Sequence, residues 1–263
     1  MWYNSWMENT QKDNISTLKD TTKKDEEDTK NHWEGIFGKE GGYEKEPEPK
    51  LVAFEEKFKN EIGPKVLDVA SGIGRHLVYM AGKGYKMTGL ELTENGIKVA
   101  NDKLKEKGLE AELVNGSFRE MPFEKESFDT IYSTNAINRN DWQGAKKTFS
   151  NISRVLKDGG IFFLMVRSSS KPAESGRPNE KITIVNEPID NDLPIEDKGV
   201  TFIKERTNED GTTTKELIHA YSLEELTKLG NKYGLEIIEE PIDEARDGGK
   251  GHWNIVYRKH KNS

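Results

Sequence analysis

The run Val66-Leu67-Asp68-Val69-Ala70-Ser71-Gly72-Ile73-Gly74-Arg75-His76 decides how this 263-residue chain folds. An apolar segment leads into a turn of small residues, and the pattern after the turn is that of a helix. Ala70, Ser71, Gly72 and Gly74 leave the backbone bare, so that a ligand can lie against the turn and the N-terminus of the helix. In doubly wound sheets, nucleotides bind at such a turn, beyond the carboxyl ends of the strands.

Strand and helix patterns alternate outward from this run. Strands are expected at residues 65–69, 85–90, 110–114, 128–133 and 161–166, with helices at 75–83, 93–107 and 143–156. A further helix follows Ser222, and residues 235–239 and 253–257 look like a closing antiparallel pair. This alternation predicts an α/β fold of the Rossmann-like, doubly wound type. Its mostly parallel sheet has seven strands, with an antiparallel edge strand and an insertion after strand 5.

The chain divides into a polar tail and one domain. Residues 8–30 are nearly all Lys, Asp, Glu, Thr, Asn and Gln, which bury too little apolar surface to offset the entropy of ordering. We therefore expect residues 1–32 to be a disordered tail and residues 33–263 to form a single domain. Residues 168–217, rich in Ser, Pro, Asn, Asp and Glu, are interpreted as an insertion over the edge of the sheet.

Composition excludes several classes of function. The chain has no cysteine, which removes disulfides, thiolate metal sites and cysteine nucleophiles, and we expect no metal site. The formal net charge of -7 argues against duplex nucleic acid as the main partner. The longest apolar run, residues 161–166, is far shorter than a membrane helix, and residues 1–7 lack the pattern of a secretory signal. We therefore expect a cytoplasmic protein without a membrane partner; its oligomeric state stays open.

Polar or small residues follow the other strands of the predicted sheet. Glu91 ends the second strand, near the spacing at which Rossmann folds bind ribose hydroxyls. Ser117 and Phe118 follow the third strand, and Thr134 and Asn135 follow the fourth. Because the ends of parallel strands share one rim of the sheet, these residues and the glycine turn are expected to form one site.

The run from Leu67 to Gly74 resembles motif I of class I S-adenosylmethionine-dependent methyltransferases. The resemblance continues through Glu91, Met121-Pro122-Phe123, Ser127-Phe128-Asp129 and the run Arg154-Val155-Leu156-Lys157-Asp158-Gly159-Gly160. It covers roughly residues 65–166, and the helix after Ser222 with the last strands also fits. The motifs are specific for the family and carry no information on the methyl acceptor.

The resemblance implies S-adenosylmethionine as cofactor and a role for each matched residue. Asp68 would order the methionine end from beneath the turn, and Glu91 would accept hydrogen bonds from the ribose hydroxyls. The full set expected to contact the cofactor is Trp33, Asp68, Ala70, Ser71, Gly72, Gly74, Glu91, Leu92, Ser117, Phe118, Thr134 and Asn135. Leu92, Ser117 and Phe118 belong to the adenine end, and Thr134 and Asn135 to the sulfonium end. Trp33 is either a lid over the cofactor or a plug in the core.

The chain departs from the family pattern at two places. Many relatives carry Asp where this chain has Ser117, so the hydrogen bond to the adenine amino group is weakened or rerouted. Relatives often show His where this chain reads Asn138-Arg139-Asn140, which bears on the acceptor side. His76, His219 and Tyr221 could each face the site or pack, and the sequence identifies no catalytic residue.

Methyl transfer from a sulfonium is an in-line displacement in which the cofactor supplies the chemistry. The lack of an obvious catalytic dyad in the sequence therefore does not count against a methyltransferase. We expect a small-molecule acceptor, because the cysteines of cytosine C5 enzymes and the paired prolines of amino-methylating nucleic-acid enzymes are absent; a protein acceptor stays open. One alternative is a non-catalytic regulator that binds the same cofactor. Another is an NAD-dependent dehydrogenase, which ranks lower because Leu77 stands where that fingerprint needs a third small residue.

Overall fold

The computed structural model describes residues 26–39, 46–170, 179–184, 199–207, 211–245 and 251–261. Its helices are α1 (residues 26–37), α2 (Pro49–Phe58), α3 (Arg75–Gly82), α4 (Glu94–Glu106), α5 (Trp142–Val155) and α6 (Leu223–Lys232). Its strands are β1 (Lys65–Val69), β2 (Lys86–Glu91), β3 (Ala111–Asn115), β4 (Phe128–Thr134), β5 (Leu156–Arg167), β6 (Glu180–Ile184), β7 (Val200–Thr207), β8 (Thr213–Ala220), β9 (Leu235–Ile237), β10 (Ile242–Ala245) and β11 (Gly251–Lys259).

The main sheet has the strand order β10-β11-β5-β4-β1-β2-β3, and β9 also pairs with β11. Strands β1 to β5 are parallel to one another, while β11 runs antiparallel to β5. The predicted Rossmann-like α/β fold is therefore confirmed. The antiparallel strand lies one position in from the edge, where β9 and β10 together cover it. Among the described residues the sheet has eight strands, one more than expected. The strand expected at residues 235–239 is the shorter β9, and β10 follows it after Pro241, which has no N–H to donate.

Both faces of the sheet are covered by apolar side chains, as the alternation of strands and helices requires. On one face, α5 and α6 bury Phe149, Ile152 and Leu226. On the other face, α2 and α3 bury Phe54 and Leu77. The predicted switch point lies between these layers, where β1 has β2 on one side and β4 on the other.

Side-chain caps start three of the helices. The Thr93 hydroxyl accepts from the Gly96 N–H at the start of α4, and the Asp141 carboxylate accepts from the Gly144 N–H at the start of α5. Ser222 and Glu225 form a reciprocal capping box at the start of α6. Each such cap stabilises its helix by about 1 kcal/mol. The Thr93 and Ser222 caps lie at the positions that the sequence predicted.

The predicted insertion contains a three-stranded antiparallel sheet in the order β6-β7-β8. Phe202, Ile218 and Ala220 form its small apolar cluster. It is joined to the rest of the fold at its end, where the His219 N–H donates to the Asn138 carbonyl. Residues 171–178 and 185–198 of the insertion lie outside the described residues.

Helix α1 corrects part of the predicted tail. Residues 26–32, which were expected to be disordered, are helical, while residues 1–25 lie outside the described residues. Contacts with distant parts of the chain hold this helix. Glu34 accepts from the backbone N–H groups of Glu94 and Asn95, at 2.7 and 3.0 Å, and so adds to the cap of α4. Tertiary contacts, and not the polar composition, decide the conformation here.

Within the described ranges, no helix is long and apolar enough to cross a membrane. The same residues contain no group of three His, Asp or Glu side chains placed to hold a metal ion.

Candidate functional site

The carboxyl ends of β1, β2 and β4 and the loop after β3 open into one cavity of about 640 Å³. This volume lies in the usual range for small-molecule sites. The predicted residues that line it are Trp33, Ala70, Ser71, Gly72, Glu91, Leu92, Ser117, Phe118, Thr134 and Asn135. Asp68 and Gly74 do not line it. The strand ends singled out in the sequence therefore meet at one place, although their contact with a cofactor stays a prediction.

The backbone at the rim of the cavity is unusual at two residues that are not glycine. Ala70 and Asn135, which directly follow β1 and β4, have φ angles of 62° and 59°. Residues with side chains rarely adopt this left-handed conformation, and it costs about 1–2 kcal/mol. Such strain persists where the surrounding structure enforces it, and it is concentrated at binding sites.

Gly72 and Gly74 are both left-handed, with φ angles of +54° and +77°, but they serve different purposes. A Cβ on Gly72 would lie 3.3 Å from the Phe37 ring, on the cavity side of the turn. A Cβ on Gly74 would lie 2.7 Å from the Cβ of Ala100 in α4. Gly72 thus keeps the floor of the cavity bare, whereas Gly74 lets α3 and α4 pack closely.

Glu91 organises the loops on both sides of it. One carboxylate oxygen accepts from the Gly72 N–H at 2.9 Å. The other accepts from the Thr93 N–H at 2.9 Å and from the Thr93 hydroxyl at 2.6 Å. A carboxylate has about four acceptor positions, so these three bonds leave some capacity for a ligand hydroxyl. Glu91 is therefore part of the wall of the cavity as well as a candidate partner for a ribose.

Asp68 lies beneath the turn and is fully buried. Burial raises the pKa of Asp68 to about 8, against the opposing effect of the neighbouring Tyr132 hydroxyl. The carboxyl group is therefore largely protonated at neutral pH. Asp68 does not line the cavity, and its expected role in ordering the methionine end stays a prediction.

Ser71 lines the cavity, but its side chain is directed away from it. A Cβ built on Gly89 of β2 would lie 2.9 Å from the Ser71 hydroxyl oxygen and 2.7 Å from Leu77. The absence of a side chain at Gly89 therefore leaves room for both residues. Ser71 presents its backbone to the cavity, as the sequence predicted for a bare turn.

One face of α1 covers the cavity. Glu26, Thr29, Trp33 and Phe37, which follow one another at intervals of three or four residues, all line it. The rings of Trp33 and Phe37 are 5.1 Å apart. Trp33 therefore lines the cavity, which agrees with the lid interpretation.

Ser117 and Phe118 lie at the end of the cavity near Leu92, where the resemblance implies the adenine. The Ser117 hydroxyl donates to the Glu26 carboxylate at 2.9 Å and accepts from the Arg119 N–H at 3.1 Å. The guanidinium of Arg119 lies 3.4 Å from the same Glu26 oxygen. Sequence reasoning missed Glu26, because it placed this residue in a disordered tail.

His76, Thr134, Asn135, Arg139 and His252 line the other end of the cavity. The Nε2 of His76 accepts from the Glu48 N–H at 3.2 Å, so the ring proton is on Nδ1, which lies 3.4 Å from the Thr134 hydroxyl. Burial and the charge of Arg75 lower the pKa of His76 to about 3. His76 is therefore a neutral group that joins the segment before α2 to the end of β4.

Arg139 is held from several sides. Its guanidinium lies 4.7 Å from the centre of the Trp33 ring and donates to Glu216 of β8 at 2.9 Å. Glu216 also lies 3.1 Å from the ammonium of Lys204. Burial raises the pKa of Glu216, but the charges of Arg139 and Lys204 outweigh it and hold the pKa at about 2. The sequence placed Asn138-Arg139-Asn140 on the acceptor side but did not indicate that Arg139 pairs with Glu216.

His219 and Tyr221, which could have faced the site, do not line the cavity. His219 is buried between the Thr201 hydroxyl, at 2.6 Å, and the Glu225 carboxylate, at 3.0 Å. Tyr221 is fully buried, and its hydroxyl donates to the Ile137 carbonyl. Both residues join the insertion to the main domain.

Residues 66–160 match a protein family described as a methyltransferase domain. Among curated proteins, a sterol 24-C-methyltransferase of Gibberella zeae is 39% identical over 106 residues, which are 38% of this chain and 27% of that protein. A sarcosine/dimethylglycine N-methyltransferase of Aphanothece halophytica is 28% identical over 212 residues, 75% of this chain and 73% of that protein. The chain spans about a quarter to a half of the first three curated relatives it matches, namely 27%, 33% and 47% of their lengths.

Solved structures have the same fold at low identity. An S-adenosylmethionine-dependent methyltransferase from Clostridium acetobutylicum has a TM-score of 0.59 at 17% identity, with 81% of this chain and 91% of that chain covered. A 1,6-didemethyltoxoflavin-N1-methyltransferase from Burkholderia thailandensis, solved with its acceptor and S-adenosylhomocysteine, has a TM-score of 0.60 at 14% identity, with 95% and 90% covered. The family match confirms the resemblance over residues 66–160, and the solved structures agree with the Rossmann-like fold.

Proposed function

We propose that this chain, which carries a class I S-adenosylmethionine-dependent methyltransferase domain, transfers the methyl group of that cofactor to a small-molecule acceptor. The observation that carries the proposal is the cavity over Gly72. It lies at the switch point of the sheet, its floor is bare backbone, and it is walled by the Glu91 carboxylate.

The residues of the cavity suit an adenosyl ligand. A side chain on Gly72 would occupy space on the cavity side of the turn, so the turn is shaped for close approach to its backbone. Glu91 offers acceptor capacity for ribose hydroxyls, and Leu92 and Phe118 offer apolar surface for a base. Gly72, Glu91, Leu92, Phe118 and the turn backbone would therefore hold the cofactor.

When bound, S-adenosylmethionine supplies an electrophilic methyl group on a sulfonium. The chain's own contribution is to align the acceptor and to exclude water. Thr134 and Asn135 are expected to face the sulfonium end. The amide oxygen of Asn135 is buried and has no hydrogen-bond partner among the described residues. The aromatic face of α1 closes the cavity above.

No general base is assigned. His76 lies 3.4 Å from the Thr134 hydroxyl, but its pKa of about 3 and its bond from the Glu48 N–H make it a poor proton acceptor. An acceptor atom that is nucleophilic without early loss of a proton, such as an amine nitrogen, would need no proton transfer to His76. The acceptor names of the Aphanothece halophytica relative, sarcosine and dimethylglycine, are the first compounds to test.

The size and enclosure of the cavity support a small acceptor. The cavity is covered by α1, and Glu216 and Lys204 of the insertion lie behind Arg139 on its acceptor side. The net charge of -7 gives no support for a nucleic-acid acceptor. We place the acceptor between Asn135, Arg139 and His252.

The proposal is tested first by thermal unfolding with S-adenosylmethionine, S-adenosylhomocysteine and NAD. A ligand at one hundred times its dissociation constant stabilises the native state by about 2.7 kcal/mol, so the two sulfur compounds should raise the melting temperature and NAD should not. Methylated product from an amine panel, detected by mass spectrometry, would then establish catalysis. Stabilisation without product over a broad panel would favour the non-catalytic regulator, and stabilisation by NAD alone would favour the dehydrogenase.

A further inference from the structure

The adenine end of the cavity presents a carboxylate that comes from α1. Leu92, Ser117 and Phe118 surround this end, and Glu26 lines it from above. Glu26 is the first described residue of the helix and lies on the same helical face as Trp33 and Phe37. Its side chain is 32% exposed, so the carboxylate is partly shielded from water.

The hydroxyl of Ser117 is already committed. Its single O–H is donated to Glu26, and it also accepts the Arg119 N–H. A base whose amino group needs an acceptor therefore finds little free capacity at Ser117. The Glu26 carboxylate, by contrast, has two oxygens with about four acceptor positions. The bond from Ser117 and the charge of Arg119 engage only part of that capacity.

The other cavity carboxylates lie elsewhere. That of Glu91 is engaged by the Gly72 and Thr93 donors. Glu46 and Glu48 belong to the segment before α2, whose backbone contacts Arg75 and His76 at the opposite end. Among the carboxylates that line the described cavity, Glu26 is thus the one placed at the end formed by Ser117 and Phe118.

Ser117 and Arg119 also fix where this carboxylate lies. The bond of 2.9 Å from the Ser117 hydroxyl keeps an oxygen of Glu26 close to the loop after β3. The guanidinium of Arg119, which is 11% exposed and donates to Asn140 at 2.6 Å, is itself held in place. The Glu26 carboxylate is therefore positioned beside a fixed guanidinium, with an oxygen facing the end of the cavity formed by Ser117.

We infer that Glu26, carried by α1, is the residue that selects adenine in this protein, by accepting a hydrogen bond from the exocyclic amino group of the cofactor's base. This inference rests on the proposed function. It means that the helix that covers the cavity also recognises the base, because the same helical face carries Glu26, Trp33 and Phe37. Because Ser117 replaces the Asp of many relatives, the sequence predicts that the hydrogen bond to the adenine amino group is weakened or rerouted. We assign this bond to Glu26, which lies 91 positions before Ser117.

The test compares two ligands by titration calorimetry: S-adenosylhomocysteine, and its analogue in which hydrogen replaces the amino group of the base. The wild-type chain should bind S-adenosylhomocysteine at least roughly ten-fold more tightly than the analogue, since the analogue leaves the carboxylate without its donor. Glu26→Ala should bind the two ligands about equally. Glu26→Gln should keep part of the preference, because an amide oxygen still accepts. Glu27→Ala, which removes the same charge from an exposed neighbour on the helix, should behave as wild type.

The ratio of the two affinities separates recognition from a structural role. If Glu26 only fastened α1 to Ser117 and Arg119, Glu26→Ala would weaken both ligands by the same factor and leave the ratio unchanged, which would overturn the inference. Equal binding of the two ligands by the wild-type chain would overturn it as well, with the proposed cofactor intact. Failure of the wild-type chain to bind S-adenosylhomocysteine at all would instead refute the proposed function.

Discussion

Replacing Glu91 by Gln should cost both stability and affinity, because this carboxylate holds the cavity together before any ligand binds. It accepts three hydrogen bonds, from the Gly72 N–H, the Thr93 N–H and the Thr93 hydroxyl. A hydrogen bond to a charged group contributes about 1.5–3 kcal/mol. In Glu91→Gln one bond is lost, since the amide N–H₂ faces a donor, and two are reduced to neutral strength. We expect the free energy of unfolding to fall by about 3–5 kcal/mol.

The same substitution should weaken binding of S-adenosylhomocysteine by roughly 5- to 150-fold, which corresponds to about 1–3 kcal/mol for impaired contacts with the ribose hydroxyls. Urea unfolding measures the loss of stability, and the dependence of the free energy of unfolding on urea concentration should stay unchanged. Titration calorimetry measures the loss of affinity for S-adenosylhomocysteine. Glu110→Gln is the matched control, because it removes one carboxylate charge at an exposed residue. If Glu91→Gln and Glu110→Gln gave the same stability and the same affinity, the reasoning about the cavity wall would be refuted.

Three further substitutions probe the turn. Gly72→Ala should lower the affinity for S-adenosylhomocysteine by more than roughly ten-fold in calorimetry, because the new Cβ lies on the cavity side. It should also lower the free energy of unfolding by about 1–2 kcal/mol, because φ is +54°. An unchanged affinity would contradict the claim that the ligand lies against the bare backbone at Gly72. Gly74→Ala should lower the free energy of unfolding by about 2–4 kcal/mol in urea, because its Cβ would meet Ala100 at 2.7 Å; stability equal to wild type would contradict the packing role. Asp68→Asn tests the raised pKa of about 8 of the Asp68 carboxyl. Between pH 4 and 8 the folded chain keeps this proton and the unfolded chain has lost it, so the free energy of unfolding of the wild type should fall as the pH rises, relative to the variant, by up to about 1.4 kcal/mol per pH unit. Urea unfolding of both proteins at pH 5 and 7.5 measures this difference. If the free energy of unfolding changed with pH by the same amount in both proteins, the raised pKa of Asp68 would be contradicted.

The strands and the rim of the site could be predicted from the sequence because their signals are local. Each strand from β1 to β5 contains apolar residues and is followed by small or polar residues, and Thr93 and Ser222 mark helix starts by their own side chains. Once the strands are parallel, the residues after them share one end of the sheet. The position of Glu91 beside the Gly72 turn follows from this topology alone.

Other features depend on contacts between distant segments and leave no local pattern. Glu26 was assigned to a disordered tail because its neighbours are polar, yet Ser117 and Arg119 hold it at the cavity. The pairing of Arg139 with Glu216 joins two segments 77 residues apart. The separate role of Gly74 appears only when α4 is in place. Propensity and periodicity carry no information on such partners, so the structure was needed to find them.

The central claim, that the cavity over Gly72 binds an adenosyl sulfur compound, is tested most directly by a crystal structure of the full chain with S-adenosylhomocysteine. The account predicts density for the ligand between the Gly72 turn and Phe118, with ribose hydroxyls at the Glu91 carboxylate and the base beside Glu26. Density for the compound outside this cavity, or a crystal in which side chains fill the space over Gly72 despite bound ligand elsewhere, would contradict it.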